Sequence, residues 1–495
     1  MDKTRSADND AANGRISTVK LWRTALIAGA AAAAASCATA QVAPPPPPPV
    51  VTTPAPAPVR PAAPPPPASE VRISAPTPVD PIGAILKSDG AVEDRLARLQ
   101  ALATDRFSAG DGPGAEAAMS AAVTLAEKPP GVSATRLARL LGVRTRVRLE
   151  FGRYDEALAD VDRALALTDS APDADAAERA TLIYDRARVL DALGRNEEAE
   201  AAARDSAALR RDLFGPVHEK TADSLNLLAN TLTAQGRHAE ADPLYRQVLG
   251  AYEVLYGPTD FHLAIVLSNL GNSLRRTGRA HQAEPLYLRA VAIAERADDP
   301  VLLAQCLTNY GWFLHVTGKG ALAQAPFERA LALALEVVGP DHPFTGNARA
   351  NLGYAFSDQG RWAEAEAPFR QGLAVFEAGV GADSPDLMDT LDGYAAVLDR
   401  LDRPNEAETL HRRALSIGTA RLPPAHSDSL AATEKYAGFL IRRDRPQEAL
   451  GHVRTEVSAL LGPDGRGRDW RARVSDARTL FARQVEAAWS AADPA

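Results

Sequence analysis

Small and apolar residues recur along most of the chain with a constant phase. The stretch QGRHAEAD contains Gly236, and equivalent residues stand 42 positions apart on either side of it, except for one step of 40. These turn markers are Gly110, Gly152, Gly194, Gly236, Gly278, Gly318, Gly360, Asp402 and Asp444. An alanine follows each marker by five residues, and a glycine, alanine or threonine precedes it by seven. Such regularity indicates one structural unit stacked many times.

The apolar positions around each marker predict two helices joined by a turn. Apolar residues four and eleven positions before the marker share one helical face with the small residue at minus seven. After the marker, the alanine and an apolar residue four positions later form the facing stripe of a second helix. Glycine, with aspartate as a tolerated substitute, suits a turn residue of positive φ. Each unit is therefore predicted to be a helix hairpin that buries its remaining apolar faces by stacking.

The connections between hairpins carry their own signals. Segments such as LFGPVHEK, LYGPTDFH and VVGPDHPF contain the Gly and Pro residues that end one helix and redirect the chain. The single step of 40 residues falls where ERADDPVLL replaces this longer form. The missing two residues are therefore expected in a connection, with both flanking helices kept.

The phrases QGRWAEAEAPFRQGLAVFE and VVGPDHPFTGNARANLG resemble the tetratricopeptide repeat in its 42-residue form, typified by kinesin light chains. The resemblance covers about residues 92–465 and implies an all-α, right-handed solenoid of about nine hairpins, which we assign to residues 87–465. Residues 466–495 are predicted to form a C-terminal capping helix, with a partner-binding amphipathic helix as the alternative. Its apolar face comprises Trp470, Val474, Ala477, Phe481, Val485 and Trp489.

The first 40 residues have the order of a secretory signal: basic residues, a short apolar run and small residues. The run TALIAGAAAAAAS has 13 residues, too few to span a bilayer as a helix. Cleavage after Ala40 would release a chain beginning at Gln41. Alternatively, AASC resembles a degenerate bacterial lipobox, in which the signal ends before a lipidated Cys37. An uncleaved tail on a cytoplasmic protein is the remaining alternative.

Residues 41–86 are rich in proline, as in PPPPPPV and RPAAPPPP. Proline fixes φ and lacks an amide donor, so this segment is predicted to be a disordered linker with polyproline II character. A ligand for a proline-binding domain is the alternative. The linker follows the export signal directly, which is typical of a stalk.

Composition and charge exclude several classes of function. The net charge is −8 with a pI near 5.7, which disfavours a nucleic-acid-binding surface. Two cysteines cannot build a disulfide framework, and the nine histidines include no pair with metal-ligand spacing. No nucleophile elbow or phosphate-binding glycine loop is present in the sequence. We therefore expect no enzyme activity, no cofactor and no metal, and membrane attachment only through a lipid on Cys37.

One set of side chains stands out on the face of the first helices that points away from the buried stripe. In tetratricopeptide families this face lines a concave groove that holds extended peptides. Asparagine is a mediocre helix former, and its carboxamide can both donate to and accept from a peptide backbone. The aromatic members would supply apolar pockets, and the arginines would attract acidic residues. The predicted peptide-binding residues are Asn226, Asn230, Asn269, Asn272, Arg275, Arg276, Asn309, Trp312, Asn347, Asn351 and Tyr354.

These patterns predict a function in protein binding. The first hypothesis is an exported, non-catalytic scaffold, periplasmic or held at a bacterial membrane by a lipid, which binds an extended segment of a partner protein. The alternative is a cytoplasmic signalling adaptor or the regulatory subunit of an enzyme. The sequence indicates neither the partner nor the oligomeric state.

Overall fold

The computed structural model describes residues 80–109, 111–129, 131–171, 175–422, 426–461 and 482–488. Cys37, the predicted signal and nearly all of the proline-rich linker lie outside these residues, as does the marker Gly110. The described residues form helices and no strand, so the all-α prediction is confirmed. No helix in these ranges has the length and apolar character needed to cross a membrane.

The helices follow one another at short intervals along the chain. They are α1 (Pro81–Lys87), α2 (Val92–Ser108), α3 (Gly112–Glu127), α4 (Ala134–Glu150), α5 (Tyr154–Ser170), α6 (Ala176–Ala192), α7 (Asn196–Phe214), α8 (Glu219–Ala234), α9 (His238–Tyr256), α10 (His262–Arg276), α11 (Ala280–Arg296), α12 (Pro300–Val316), α13 (Gly320–Val337), α14 (Pro343–Asp358), α15 (Trp362–Val380), α16 (Met388–Arg400), α17 (Pro404–Arg421), α18 (Ser427–Arg442) and α19 (Pro446–Leu461). A short 3₁₀ turn, Pro385–Leu387, precedes α16.

From α2 onward, an even-numbered helix and the odd-numbered helix after it pack as a hairpin. From α4 onward, each even-numbered helix also packs against the even-numbered helix of the next hairpin. In the described residues, the odd-numbered helices of successive hairpins share far less contact. The first helices therefore form a continuous inner layer and the second helices an outer layer, as in a solenoid. The hand of the superhelix and the total number of hairpins stay predictions.

The turn markers have the backbone conformation that the sequence predicts. Gly236 has φ of 75°, and Asp402 and Asp444 both have φ of 59°. Around Gly236, the amide of Arg237 donates to the carbonyl of Leu232 at 2.8 Å, which closes the end of α8. The shortened step is also where the sequence places it, because three residues separate α11 from α12 whereas five separate α9 from α10.

The small residue at minus seven faces the aromatic residue nine positions after the marker. A Cβ atom on Gly311 would lie 2.5 Å from the ring of Phe327, and one on Gly353 would lie 2.6 Å from the ring of Phe369. Both rings are fully buried. Glycine at this position therefore lets the two helices of a hairpin approach until the ring covers the backbone of the first helix.

The structure differs from the sequence prediction at both ends of the solenoid. Residues 81–86, assigned to the disordered linker, are helical, because Pro81 occupies the first turn of α1 and Asp80 caps it by accepting the amide of Ile82 at 3.1 Å. Ile85 is buried in the same apolar cluster as the first hairpin. Near the C-terminus, residues 482–488 are helical. Their packed side chain is Ala487, whereas Val485, predicted on the apolar face, is 67% exposed.

Candidate functional site

The predicted peptide-binding residues lie on four successive first helices. Asn226 and Asn230 are in α8, and Asn269, Asn272, Arg275 and Arg276 are in α10; α12 carries Asn309 and Trp312, and α14 carries Asn347, Asn351 and Tyr354. Because these helices pack side by side in the inner layer, the residues form one continuous surface. Asn309 and Asn351 are buried, and the others are half-buried.

Hydrogen bonds fix the orientation of the asparagines. The side-chain amide of Asn269 donates to the side-chain oxygen of Asn230 at 3.1 Å, which links two hairpins. The hydroxyl of Tyr245 donates to the same oxygen at 2.8 Å, and Tyr287 donates to the oxygen of Asn272 at 2.6 Å. The side-chain oxygens of Asn230 and Asn272 are thus already used as acceptors, so the expectation that each carboxamide offers both a donor and an acceptor holds only in part. Asn230 and Asn272 present mainly their N–H groups.

Two further asparagines differ in whether their side-chain oxygen has a hydrogen-bond partner. The amide of Asn351 donates to the oxygen of Asn347 at 3.1 Å, one helical turn earlier. In the described part of the chain, the side-chain oxygen of Asn226 is buried and has no hydrogen-bond partner. An unsatisfied buried acceptor costs about 1–3 kcal/mol. A donor from a water molecule or a ligand would remove this cost.

An aromatic cluster stands at one end of this surface. The rings of Trp312 and Tyr354 have centroids 4.9 Å apart, and Tyr354 also contacts the ring of Phe369 edge-on at 4.9 Å. The hydroxyl of Tyr354 donates to the backbone carbonyl of Asp389 at 2.6 Å. The cluster therefore ties α14 to α16 and holds both rings in fixed positions.

Beside these rings lies a small cavity of about 30 Å³ that is partly open to solvent. Its lining residues are Trp312, Asn347, Asn351, Tyr354, Pro385, Asp386, Met388, Asp389, Thr390 and Asp428. Four of the predicted peptide-binding residues thus meet at one pocket. The three aspartates are new, although Asp389 occupies a repeat position, thirteen before its marker, that the sequence pattern assigns to the groove. Asp386 and Asp428 both stand sixteen before their markers, outside that pattern.

The pocket is strongly acidic. Burial raises the pKa of Asp389. The Lys435 ammonium, 2.9 Å from this carboxylate, acts in the opposite direction but does not cancel the rise. Burial also raises the pKa of Asp386, and the negative charge of Asp428 adds to this rise. Burial and the charge of Asp386 raise the pKa of Tyr154 in the second hairpin, so the winding of the stack brings distant repeats within electrostatic range.

Farther along the surface, α10 carries the basic residues Arg275 and Arg276. Burial, together with the charges of Arg276 and Arg275, lowers the pKa of His238 to about 4, so this imidazole is neutral at physiological pH. The surface therefore carries positive charge at α10 and negative charge at the pocket beside α14. Among the described residues, no group of three His, Cys, Asp or Glu side chains is placed to hold a metal ion.

A stack of helix hairpins with a polar and aromatic inner surface defines a helical-repeat protein. The tetratricopeptide repeat model matches residues 178–254, 262–315 and 313–378. These segments of the chain therefore consist of tetratricopeptide repeats, as the phased sequence pattern predicts. No curated protein sequence matches the chain.

Two solved structures share the helical fold, and a third matches about half of the chain at a lower TM-score. The apo form of the quorum sensor NprR from B. thuringiensis is 12% identical, with 75% of this chain and 100% of that chain covered and a TM-score of 0.51. Aspartyl phosphate phosphatase F from Bacillus subtilis is 14% identical, with coverage of 76% and 96% and a TM-score of 0.50. A Podosopora anserina kinesin light chain with TPR-like repeats is 17% identical, with coverage of 50% and 97% and a TM-score of 0.28.

Proposed function

We propose that this protein is a non-catalytic scaffold that binds an extended segment of a partner protein along its inner surface. The observation that carries the proposal is the pocket in which Trp312, Asn347, Asn351 and Tyr354 meet. An extended chain needs partners for its backbone amides and carbonyls and pockets for its side chains. The asparagines supply the first, and the aromatic pocket supplies the second.

Preorganisation supports this function. Asn230 is held by Tyr245 and Asn269, and Tyr354 is held by the carbonyl of Asp389. Side chains that are already fixed lose little conformational entropy when a peptide binds, so each contact contributes more to affinity. The packing of each first helix on the next keeps the spacing between these groups constant along the groove.

The test is peptide binding by the purified full-length chain. Fluorescence anisotropy with degenerate pools of unstructured, labelled peptides gives the affinity. Replacing Asn269, Asn309 and Asn351 together by alanine is expected to weaken binding by at least about tenfold, since each lost backbone hydrogen bond contributes roughly 1 kcal/mol.

A matched variant controls for the loss of three amides. Gln247, Gln282 and Gln371 are exposed on the second helices α9, α11 and α15, and their replacement by alanine is expected to leave binding unchanged. Both variants should retain the helical circular dichroism of the parent chain. If the groove variant folds and binds as tightly as the parent, the inner surface is not the binding site.

We further propose that the protein is exported, as a periplasmic protein or as a lipoprotein. The order of basic, apolar and small residues before Cys37 and Ala40 supports this. Cell fractionation combined with mass measurement of the mature N-terminus tests it. A chain starting at Gln41 indicates cleavage, and a chain starting at a lipidated Cys37 indicates an anchor. An intact N-terminus in the cytoplasmic fraction would overturn export and favour an adaptor inside the cell.

A further inference from the structure

Of the three carboxylates that line the pocket at α14 and α16, Asp389 is paired with Lys435 and Asp428 lies 3.7 Å from the imidazole of His426. Asp386 is the third, and Asp392 lies behind the pocket on α16. The ammonium of Lys435 is 2.9 Å from Asp389 and 3.7 Å from Asp392, so this one cation serves two carboxylates. The imidazole of His411 lies 2.8 Å from Asp392, and His411 is not among the residues that line the pocket.

Asp386 is the carboxylate for which the described residues supply no cation within 4.0 Å. The Ser384 hydroxyl donates a hydrogen bond to the Asp386 carboxylate at 3.3 Å. The same hydroxyl accepts a hydrogen bond from the Asp386 backbone amide at 3.3 Å. Half-buried carboxylates that face one another repel and lose hydration, and a cation placed between them relieves both penalties. The chain itself therefore leaves room for one positive charge beside Asp386.

The same pocket is also lined by the aromatic rings of Trp312 and Tyr354. The π face of a tryptophan or tyrosine attracts a cation, and the aliphatic stem of lysine or arginine packs against the same ring. Trp312 and Tyr354 are fixed by their contact with each other and by the hydrogen bond to Asp389. A long cationic side chain can therefore lie along the rings while its charged end reaches the carboxylates, whereas an acidic side chain would be repelled.

We propose that this pocket selects a lysine or arginine side chain of the partner segment. The inference rests on the proposed function, since it assumes that a segment runs along the inner surface. It changes the expectation from sequence, which assigns Trp312 and Tyr354 to apolar pockets only. The occupant is a segment of another protein, and charge complementarity with Asp386 and Asp428 identifies the residue that it inserts.

The test uses four peptide pools that differ in one fixed central residue and are otherwise degenerate. The fixed residue is lysine, arginine, the uncharged lysine analogue norleucine, or glutamate. At low ionic strength the lysine and arginine pools are expected to bind the full-length chain at least about fivefold more tightly than the norleucine pool, and the glutamate pool more weakly still. Raising the salt concentration should reduce the preference for cations.

Variants locate this preference on the protein. Asp386→Asn and Asp428→Asn are each expected to remove most of the preference for lysine and arginine, measured as the ratio of their affinities to that of the norleucine pool. The control is Asp212→Asn on the second helix α7, which removes the same charge from an exposed position and should keep the preference. Persistence of the full preference in both pocket variants would overturn the inference.

The remaining outcomes separate this inference from the proposed function. If no pool binds, the peptide-binding function itself fails. If all pools bind equally, the function stands and the cationic pocket is wrong. The chain's own Arg60 and Arg72, in the proline-rich segment, offer the same chemistry. Replacing both by alanine in the full-length chain is expected to leave affinities unchanged, and a clear gain in affinity would show that the pocket belongs to this segment instead of a partner.

Discussion

Arg237 joins two hairpins through Glu200. Its guanidinium lies 2.6 Å from the Glu200 carboxylate on the second helix of the preceding hairpin and 2.7 Å from Glu240 on its own helix. Arg237 directly follows the turn marker, and the equivalent residues make the same bridge elsewhere. The bridges are Arg153–Glu116, Arg279–Asp242, Lys319–Glu284, Arg403–Glu366 and Arg445–Glu408.

Arg237→Met should lower the thermal midpoint by about 2 °C, because a partly exposed ion-pair network of this kind contributes about 1 kcal/mol. Hydrogen bonding to Arg237 lowers the pKa of Glu240. Burial acts to raise the pKa of Glu200, but hydrogen bonds and the charges of nearby arginines outweigh it and bring this pKa below its usual value. The stabilisation is therefore present above the ordinary glutamate pKa and is lost as pH falls through these lowered values.

Thermal scans of both proteins from neutral to acid pH check this. The control is Arg211→Met, which alters an exposed arginine without an ion pair in the described residues. An Arg237 effect that stayed constant down to strongly acid pH would show that the guanidinium acts by packing and not by charge.

Gly311→Ala should destabilise the protein by about 1–3 kcal/mol, because the new methyl group would lie 2.5 Å from the buried ring of Phe327. In a Phe327→Leu background the same substitution should cost less, since the ring is gone. Urea unfolding of the four proteins in this cycle measures the coupling. Gly250→Ala, in the interior of α9 with open space around it, should instead stabilise by about 0.5–1 kcal/mol. Equal costs of Gly311→Ala in both backgrounds would contradict the contact.

The turn markers predict opposite effects at two equivalent positions. Gly360 has φ of 70° and Asp402 has φ of 59°, where a Cβ atom is disfavoured. Gly360→Ala should therefore destabilise by about 1 kcal/mol, and Asp402→Gly should stabilise by about 0.5–1 kcal/mol. The Asp402 side chain is 95% exposed and 3.9 Å from Arg443, so little is lost with it. Thermal midpoints check both changes, and effects of the same sign would refute the turn assignment.

Asp386→Asn should raise the thermal midpoint by about 1–3 °C at neutral pH while weakening the binding of cationic peptides. Burial raises the pKa of Asp386 in the folded protein, so its ionised form opposes folding above that raised pKa. The gain should shrink as pH falls and the parent carboxyl becomes protonated, because a neutral carboxyl and an amide are then equivalent. A gain that is independent of pH would show that the charge is not its cause.

Thiol labelling distinguishes the two cysteines. Burial raises the pKa of the Cys306 thiol to about 12, and this side chain is 1% exposed. In the native chain made without processing, iodoacetamide should therefore modify Cys37 rapidly and Cys306 only after unfolding. A chain purified from its source should show no fast-reacting thiol if the signal is cleaved or Cys37 carries a lipid. Rapid native labelling of Cys306, identified by peptide mapping, would contradict its burial.

The hairpins are predictable from the sequence because backbone chemistry fixes them. A residue of positive φ recurs at each marker in the described residues and has the predicted geometry at Gly236. A small residue also recurs seven positions before the marker, and the structure shows at Gly311 that it faces a large ring. The end of the proline-rich segment is less predictable, since the capping of α1 depends on Asp80 and on the burial of Ile85 against the first hairpin.

The chemistry of the inner surface is only partly predictable. Repeat position assigns the asparagines to one face, but their hydrogen bonds depend on Tyr245 and Tyr287 from the second helices. Asp386 comes from the 3₁₀ turn before α16 and Asp428 from the first turn of α18, and both lie outside the positions that the repeat pattern assigns to the groove. Arg144 shows the same limit in the core, where both oxygens of Asp160 lie 2.7 Å from its guanidinium, a pairing that only the fold brings together.

The three-residue connection between α11 and α12 lies in the middle of the inner surface, between the hairpins of Asn272 and Asn309. A short connection allows two packed hairpins less relative rotation than a longer one does, so we expect this connection to be stiffer than the five-residue connections on either side. When the solenoid is stretched, neighbouring hairpins should separate first at the five-residue connections on either side of this one. The middle of the inner surface would then stay nearly rigid around a bound peptide, while the two ends of the surface could adjust to it.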